Sequence, residues 1–172
     1  MQSLAITLFV ALSMLSPVQQ KDSRTRRIET DVQHELLMLP NYTVFDFLAF
    51  RVEPGGTLTL LGQVVRPTLK SDAERRVKRV EGVENVINDI EVLPVSPSDD
   101  AIRLAVARNI YRTDSLDRYG FQVQPAIRII VKQGRVTLEG VVDSQSDKTV
   151  AGLKAREIGG VFEVKNNLTV EK

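Results

Sequence analysis

Gly56 to Val92 reads GTLTLLGQVVRPTLKSDAERRVKRVEGVENVINDIEV, and Gly134 to Val170 reads GRVTLEGVVDSQSDKTVAGLKAREIGGVFEVKNNLTV. At a constant offset of 78 residues the two stretches align without a gap and share 12 of 37 positions. The shared residues include Gly62/Gly140, Gly82/Gly160, Lys70/Lys148, Ala73/Ala151 and Asn88/Asn166. Self-similarity at a fixed spacing marks a duplicated structural unit, so whatever fold one copy adopts the other adopts too.

Within each copy the apolar residues change period twice. Leu58, Leu60 and Val64 alternate with Thr59, Leu61 and Gln63, and Val136, Leu138 and Val142 alternate in the same way, which is the period-2 pattern of a strand with one buried face. Gly62 and Gly140 fall on the inward parity, where the lack of a side chain lets a helix pack close to the sheet or marks a bulge. Leu69, Ala73, Val77 and Val80 then recur at helical spacing, as do Asp147, Ala151, Ala155 and Ile158, the first of these being polar. Gly82 and Gly160 follow where a helix needs a left-handed terminal residue. A second alternating run closes each copy: Val86, Asn88, Ile90 and Val92, and Val164, Asn166, Leu168 and Val170.

Each copy is preceded by a further helix and strand. Ile28, Val32, Leu36 and Leu39 form the stripe of a helix expected over Arg26 to Leu39, ended by Pro40, and Ile102, Val106 and Ile110 repeat that spacing. Asp99 or Asp100 is placed to cap the second of these helices. Asn41 to Val52 (NYTVFDFLAFRV) and Tyr119 to Lys132 then supply a loop and a strand, each joined to its duplicated strand by a hairpin at Glu53-Pro54-Gly55-Gly56 or Lys132-Gln133-Gly134. The predicted fold is α+β: two α-β-β-α-β units, each a three-stranded mixed sheet with two helices on one face. Leu93 to Asp100 (LPVSPSDD) reads as the linker, its prolines limiting flexibility.

The arrangement resembles the BON domain, a small module of bacterial envelope proteins. The resemblance rests on V-x-L-x-G-x-V at Val136 to Val142, its looser copy at Leu58 to Val64, and the closing G-V-x-x-V-x-N-x-[IL]-x-V at Gly82 to Val92 and Gly160 to Val170. With the preceding helices it covers residues 25–93 and 99–171, leaving 94–98 as a Pro/Ser linker. It implies export to the periplasm or cell envelope and a non-catalytic binding role: contact with phospholipid, stress protection, or assembly and client-protein binding. No catalytic motif carries over, and Gly62, Gly82, Gly140 and Gly160 read as fold determinants.

Leu4 to Leu15 is a nearly unbroken apolar run, short for a bilayer span but suited to the core of an export signal, so residues 1–20 are read as a signal peptide or N-terminal anchor. No Lys or Arg precedes the run and no clear A-x-A follows it. Lys21 to Arg27 reads as a flexible lead-in. With no cysteine among 172 residues, disulfides, thiolate catalysis and a lipidated N-terminal cysteine are excluded. The net charge is +1, and neither unit has the basic excess of a nucleic-acid-binding domain. The one histidine, His34, lies about 200° around its helix from the apolar stripe and is expected to be solvated. No G-x-S-x-G, H-E-x-x-H or phosphate-binding loop occurs, so no enzyme, cofactor or metal site is expected.

Two surfaces remain as binding candidates. Arg66, Lys70, Arg75, Lys78 and Arg79 lie on or beside the second helix of the first unit, a face able to attract anionic phospholipid. The alternative is a plain solvated face laced with pairs such as Glu74 with Lys78. Tyr42, Phe45, Tyr119 and Phe121 serve either core and interdomain packing or an apolar patch that meets a membrane or an envelope protein. Peripheral phospholipid association is the first functional reading. A periplasmic chaperone or protein-interaction module is the second, and a small-ligand or ion sensor the third.

Overall fold

The computed structural model describes residues 17–53, 55–122 and 124–171, with side chains from Ser23 onward. The apolar run Leu4 to Leu15 therefore lies outside the described residues. In the first unit α1 (Pro17–Leu37) leads to the hairpin β1 (Phe47–Val52) and β2 (Thr57–Val64), then α2 (Pro67–Val77), β3 (Asn85–Asn88) and β4 (Glu91–Val92). The second unit repeats this as α3 (Pro97–Tyr111), a 3₁₀ turn at Asp117–Tyr119, β5 (Ile127–Lys132), β6 (Arg135–Val142), α4 (Gln145–Arg156), β7 (Glu163–Asn166) and β8 (Thr169–Val170). In each sheet the second strand is central: β2 pairs antiparallel with β1 and parallel with β3 and β4, and β6 does the same with β5, β7 and β8. The α+β fold with two repeated mixed sheets is thus the one expected.

The inward parity of each central strand is buried as its alternation requires. Leu58, Leu60 and Val64 meet Val32 and Leu36 of α1 and Leu69, Ala73 and Val77 of α2 in one core. Val136, Leu138 and Val142 meet Val106, Ile110, Ala151 and Ala155 in the other. Burying a side chain of this size stabilises a fold by about 1.5–3 kcal/mol, so the six valines and leucines of β2 and β6 anchor both helical layers. The third strand is expected to be continuous but is split. Asn88 turns inward, donates from Nδ2 to the Lys70 carbonyl at 3.1 Å and accepts from the Ile90 amide at 3.3 Å; Asn166 does the same with Lys148 and Leu168 at 2.7 and 3.3 Å. These bonds bend the strand and return Ile90 and Leu168 to the core. They also explain why an amide stands at an apolar position in both copies.

Several expectations are corrected. Gly62 and Gly140 are approached not by a helix but by the neighbouring strand: a Cβ there would lie 2.0 Å from the Phe47 carbonyl oxygen and 1.9 Å from that of Ala126, at φ of +121° and +124°. Gly82 and Gly160 are left-handed, at φ of +92° and +88°, but α2 ends at Val77 and α4 at Arg156. Each glycine instead serves a later tight turn, closed by Val83 N–H to Val80 C=O and by Val161 N–H to Ile158 C=O. The lead-in Lys21 to Arg27 is helical, part of an α1 that starts at Pro17. Helix α3 begins at Pro97, inside the expected linker, and its cap is Ser96, whose Oγ accepts from the Asp99 amide. Asp99 is buried and points away: its carboxylate accepts from the Gln133 and Gly134 amides at 2.8 and 2.9 Å, tying the β5–β6 turn to the helix. His34 is exposed, as expected.

The two units pack on each other. Val44 C=O accepts from the Ile129 amide at 2.9 Å, so the tight turn before β1, closed by Asp46 N–H to Thr43 C=O, abuts the outer edge of β5. Arg128 is 6% exposed, lies 4.4 Å over the Tyr42 ring and donates to the Thr43 carbonyl at 2.9 Å. Lys132 pairs with Glu91 at 2.5 Å. Ile130, of opposite parity to the core residues Ile129 and Val131 of β5, is also buried, and covering an edge strand removes a site of unwanted pairing.

Candidate functional site

Helix α2 starts at Arg66-Pro67, with proline at a first-turn position where no amide is needed and no side-chain cap. Its apolar stripe faces the sheet, which turns its cations outward. Arg66, Arg75, Lys78 and Arg79 are exposed and Lys70 is half-buried. They do not form an open cluster. Arg75 pairs with Asp72, Lys78 with Glu74 at 2.5 Å, and Arg76 with Glu35 of α1 at 3.1 Å. The Lys78 ammonium, then the Asn88 amide, hold the Glu74 carboxyl below its ordinary range. Exposed pairs of this kind stabilise by about 0–1 kcal/mol, and their main effect is to soften the local field. Arg66 and Arg79, at the two ends of the helix, remain without an acidic partner among the described residues.

The charge is nonetheless segregated. Arg66 to Glu81 carries six basic and three acidic groups, whereas the strands and loops of the first unit, residues 38–65 and 82–97, carry Arg51 against Asp46, Glu53, Glu84, Asp89 and Glu91. The basic character of the unit therefore lies on its helices, at α2 and at the Lys21 to Arg27 stretch of α1, which carries four basic groups against Asp22.

The four aromatic candidates separate. Tyr42 is half-buried beneath Arg128, its hydroxyl accepting from the Leu48 amide at 3.2 Å. Phe45 packs against the core of the second unit. Tyr119, 2% exposed, is a structural hub: its hydroxyl accepts from the Asp143 amide at 2.8 Å and donates to Asp147 at 3.0 Å. Asp147 also accepts from Ser144 Oγ at 2.7 Å and Arg118 at 2.8 Å, which explains the polar residue in the α4 stripe. The Ser144 hydroxyl, with Tyr119 and Arg118 behind it, holds the Asp147 carboxyl below its usual value. Phe121 alone of the four stands in solvent, 85% exposed. Phe162, 84% exposed beside Gly134, escaped the sequence reading. It aligns with Glu84 of the first copy, and an aromatic replacing a charge at an outward position is the signal that could have found it.

No group of three or more His, Asp or Glu side chains is placed to hold a metal ion, and no helix is long and apolar enough to cross a membrane, among the described residues. No curated protein matches the chain. Two solved structures of CdsD, a structural protein of the type III secretion system of Chlamydia trachomatis, are similar at 14% and 12% identity. They cover 83% and 84% of this chain and 96% and 92% of their own, with TM-scores of 0.34 and 0.32, too low to carry an argument. The BON domain model matches residues 25–94 and again 98–172, which include every strand and both helical layers. BON domains are generally non-catalytic binding modules, typical of the bacterial periplasm and envelope. With the duplicated glycines, the inward asparagines and the mixed sheets in both halves, the chain belongs to the BON domain family as a tandem of two such units.

Proposed function

We propose that this tandem BON protein associates peripherally with anionic phospholipid, in envelope maintenance or stress protection, through the outer face of α2. The observation that supports this is the segregation of charge: a net three positive groups between Arg66 and Glu81, in a unit whose strands and loops are net acidic. Each basic group near an anionic surface contributes about 1 kcal/mol, so the face supplies about 3 kcal/mol of attraction. That is a weak, reversible and salt-sensitive association. Co-sedimentation with vesicles of neutral and of anionic phospholipid, at low and at physiological salt, tests it. Selective recovery with anionic vesicles, reduced by salt and by the triple change Arg75→Glu, Lys78→Glu, Arg79→Glu, is the expected result. A folded protein that ignores both vesicles sinks the reading.

A protein-interaction or chaperone role is the second reading, supported by Phe121, Phe162 and Val95, three large apolar side chains at 85%, 84% and 96% exposure. It predicts suppression of client aggregation that depends on Phe121 or Phe162 and is indifferent to the α2 cations.

A further inference from the structure

The two units treat the outer edge of their first strand differently. In antiparallel pairing alternate residues direct their N–H and C=O groups away from the partner strand. On β5 these are Ile127, Ile129 and Val131, and one of the two outward groups of each is taken. The Tyr111 hydroxyl donates to the Ile127 carbonyl at 2.5 Å, the Val44 carbonyl accepts from the Ile129 amide at 2.9 Å, and the Arg103 guanidinium donates to the Val131 carbonyl at 2.7 Å.

On β1 the corresponding residues are Leu48, Phe50 and Val52, aligned by the pairing of Leu48 with Gly62 and of Ile127 with Gly140. The helical stripes of α1 and α3 correspond at an offset of 74 residues, so Leu37 stands for Tyr111 and Glu29 for Arg103. A leucine and a carboxylate cannot donate to a carbonyl, and no segment lies where Val44 lies on β5. The Leu48 amide is taken by the Tyr42 hydroxyl, but the Leu48 carbonyl, the Phe50 amide and the Val52 carbonyl have no partner among the described residues. Beside them runs an open apolar groove of about 360 Å³ between α1 and β1, lined by Leu36, Leu37, Tyr42, Leu48 and Phe50 among others.

We infer that the outer edge of β1 is a strand-addition site for an extended peptide segment of a partner protein. Its occupant carries apolar side chains at alternate positions, to enter the groove, and a Lys or Arg at the end that lies by Val52, to meet Glu29. The kind of occupant follows from what the edge offers: two carbonyls and an amide spaced along one strand edge are met together only by an extended backbone. Backbone bonds supply the affinity and the groove the side-chain preference. A second copy of this chain fits less well. Two β1 strands paired antiparallel about Phe50 would place the acidic stretch of α1, Glu29, Asp31 and Glu35, alongside itself. This site is separate from the α2 face and stands or falls independently of phospholipid binding.

The probe is a blocked peptide, acetyl-Lys-Thr-Val-Thr-Val-Thr-amide, titrated into ¹⁵N-labelled full-length protein and followed by amide chemical shifts. Expected are shifts concentrated at Leu48, Phe50 and Val52, and loss of binding when alternate peptide amides are N-methylated. The decisive variants install the seals of the second unit. Glu29→Arg and Leu37→Tyr, both at exposed positions of α1, should weaken the peptide about tenfold or more, equivalent to about 1.4 kcal/mol. Their spectra should stay otherwise native. Absence of β1 shifts, or shifts unchanged by both variants and by N-methylation, overturns the proposal. Shifts at β1 that depend on protein concentration alone also overturn it, in favour of self-association.

Discussion

Alanine at Gly140 is the sharpest test of how the duplicated glycines work. The new Cβ would sit 1.9 Å from the Ala126 carbonyl oxygen at a φ of +124°. Both obstacles are backbone, so no side-chain rotation relieves them. Holding a non-glycine residue in this region costs about 1–3 kcal/mol. Moving Ala126 aside also disturbs the end of the β5–β6 ladder, where Val141 N–H meets Ala126 C=O, at about 1 kcal/mol more. The expected destabilisation is about 2–4 kcal/mol, a large share of the roughly 4–10 kcal/mol available to a unit of this size. Two neighbouring glycines calibrate the effect. Gly160 has φ of +88° but only an ordinary contact, Ile102 Cδ1 at 3.5 Å, so Gly160→Ala should lose only the backbone term, about 1 kcal/mol. Gly159 has no positive φ and nothing within 4 Å, so Gly159→Ala should be neutral, or stabilising by about 0.4–1 kcal/mol through the unfolded chain. Urea midpoints followed by circular dichroism, with the slope unchanged, give the three values. A Gly140→Ala protein within about 0.5 kcal/mol of the parent, or one more stable than Gly160→Ala, would refute the reasoning.

Further outcomes follow from the same geometry. Asn166→Ala should destabilise the second unit by about 1–3 kcal/mol, because the Lys148 carbonyl and Leu168 amide lose their partner; thermal melts read it, and a neutral result would mean water replaces the amide. Arg128→Met, which keeps the apolar stem but removes the cation over Tyr42 and the bond to Thr43, should loosen the contact between units. Faster exchange of the Ile129 amide would report this, with the core amides of β2 unchanged. Asp147 has a folded pKa below its unfolded value, so its stabilisation is fully present above about pH 4 and is lost as pH falls through the folded pKa. The parent should therefore lose stability on acidification more steeply than Asp147→Asn, and equal slopes would contradict the assigned bonds.

Much of the fold was legible because its determinants are local. The period-2 runs at Leu58 to Val64 and Val136 to Val142, the helical stripes from Ile28 to Val80 and Ile102 to Ile158, and the left-handed turn glycines depend on neighbours a few residues away, and repetition removed the ambiguity of each. Part of the candidate surface was legible for the same reason: spacing around α2 placed Arg75, Lys78 and Arg79 outward and anticipated the pair of Glu74 with Lys78. What escaped is long-range. Asp99 looks like a helix cap until the β5–β6 turn, some 35 residues on, brings two amides to it. Tyr119 reads either as packing or as an apolar patch until Asp143 and Asp147, bonded to its hydroxyl, decide for the buried role.

By itself, then, the amino-acid order determined two α-β-β-α-β units, their strand faces and their family, because alternation and helical spacing encode which side of an element is buried. Only the tertiary structure decided what each buried side meets. It brought the Phe47 and Ala126 carbonyls against the glycines, turned Tyr42 and Phe45 onto the second unit, and gave one first-strand edge three partners where its twin has one. The physical reason is that hydrogen-bond partners of a strand edge are chosen by chain segments that pack there. Tyr111 against Leu37, and Arg103 against Glu29, become a difference in edge bonding only once both helices lie beside their strands.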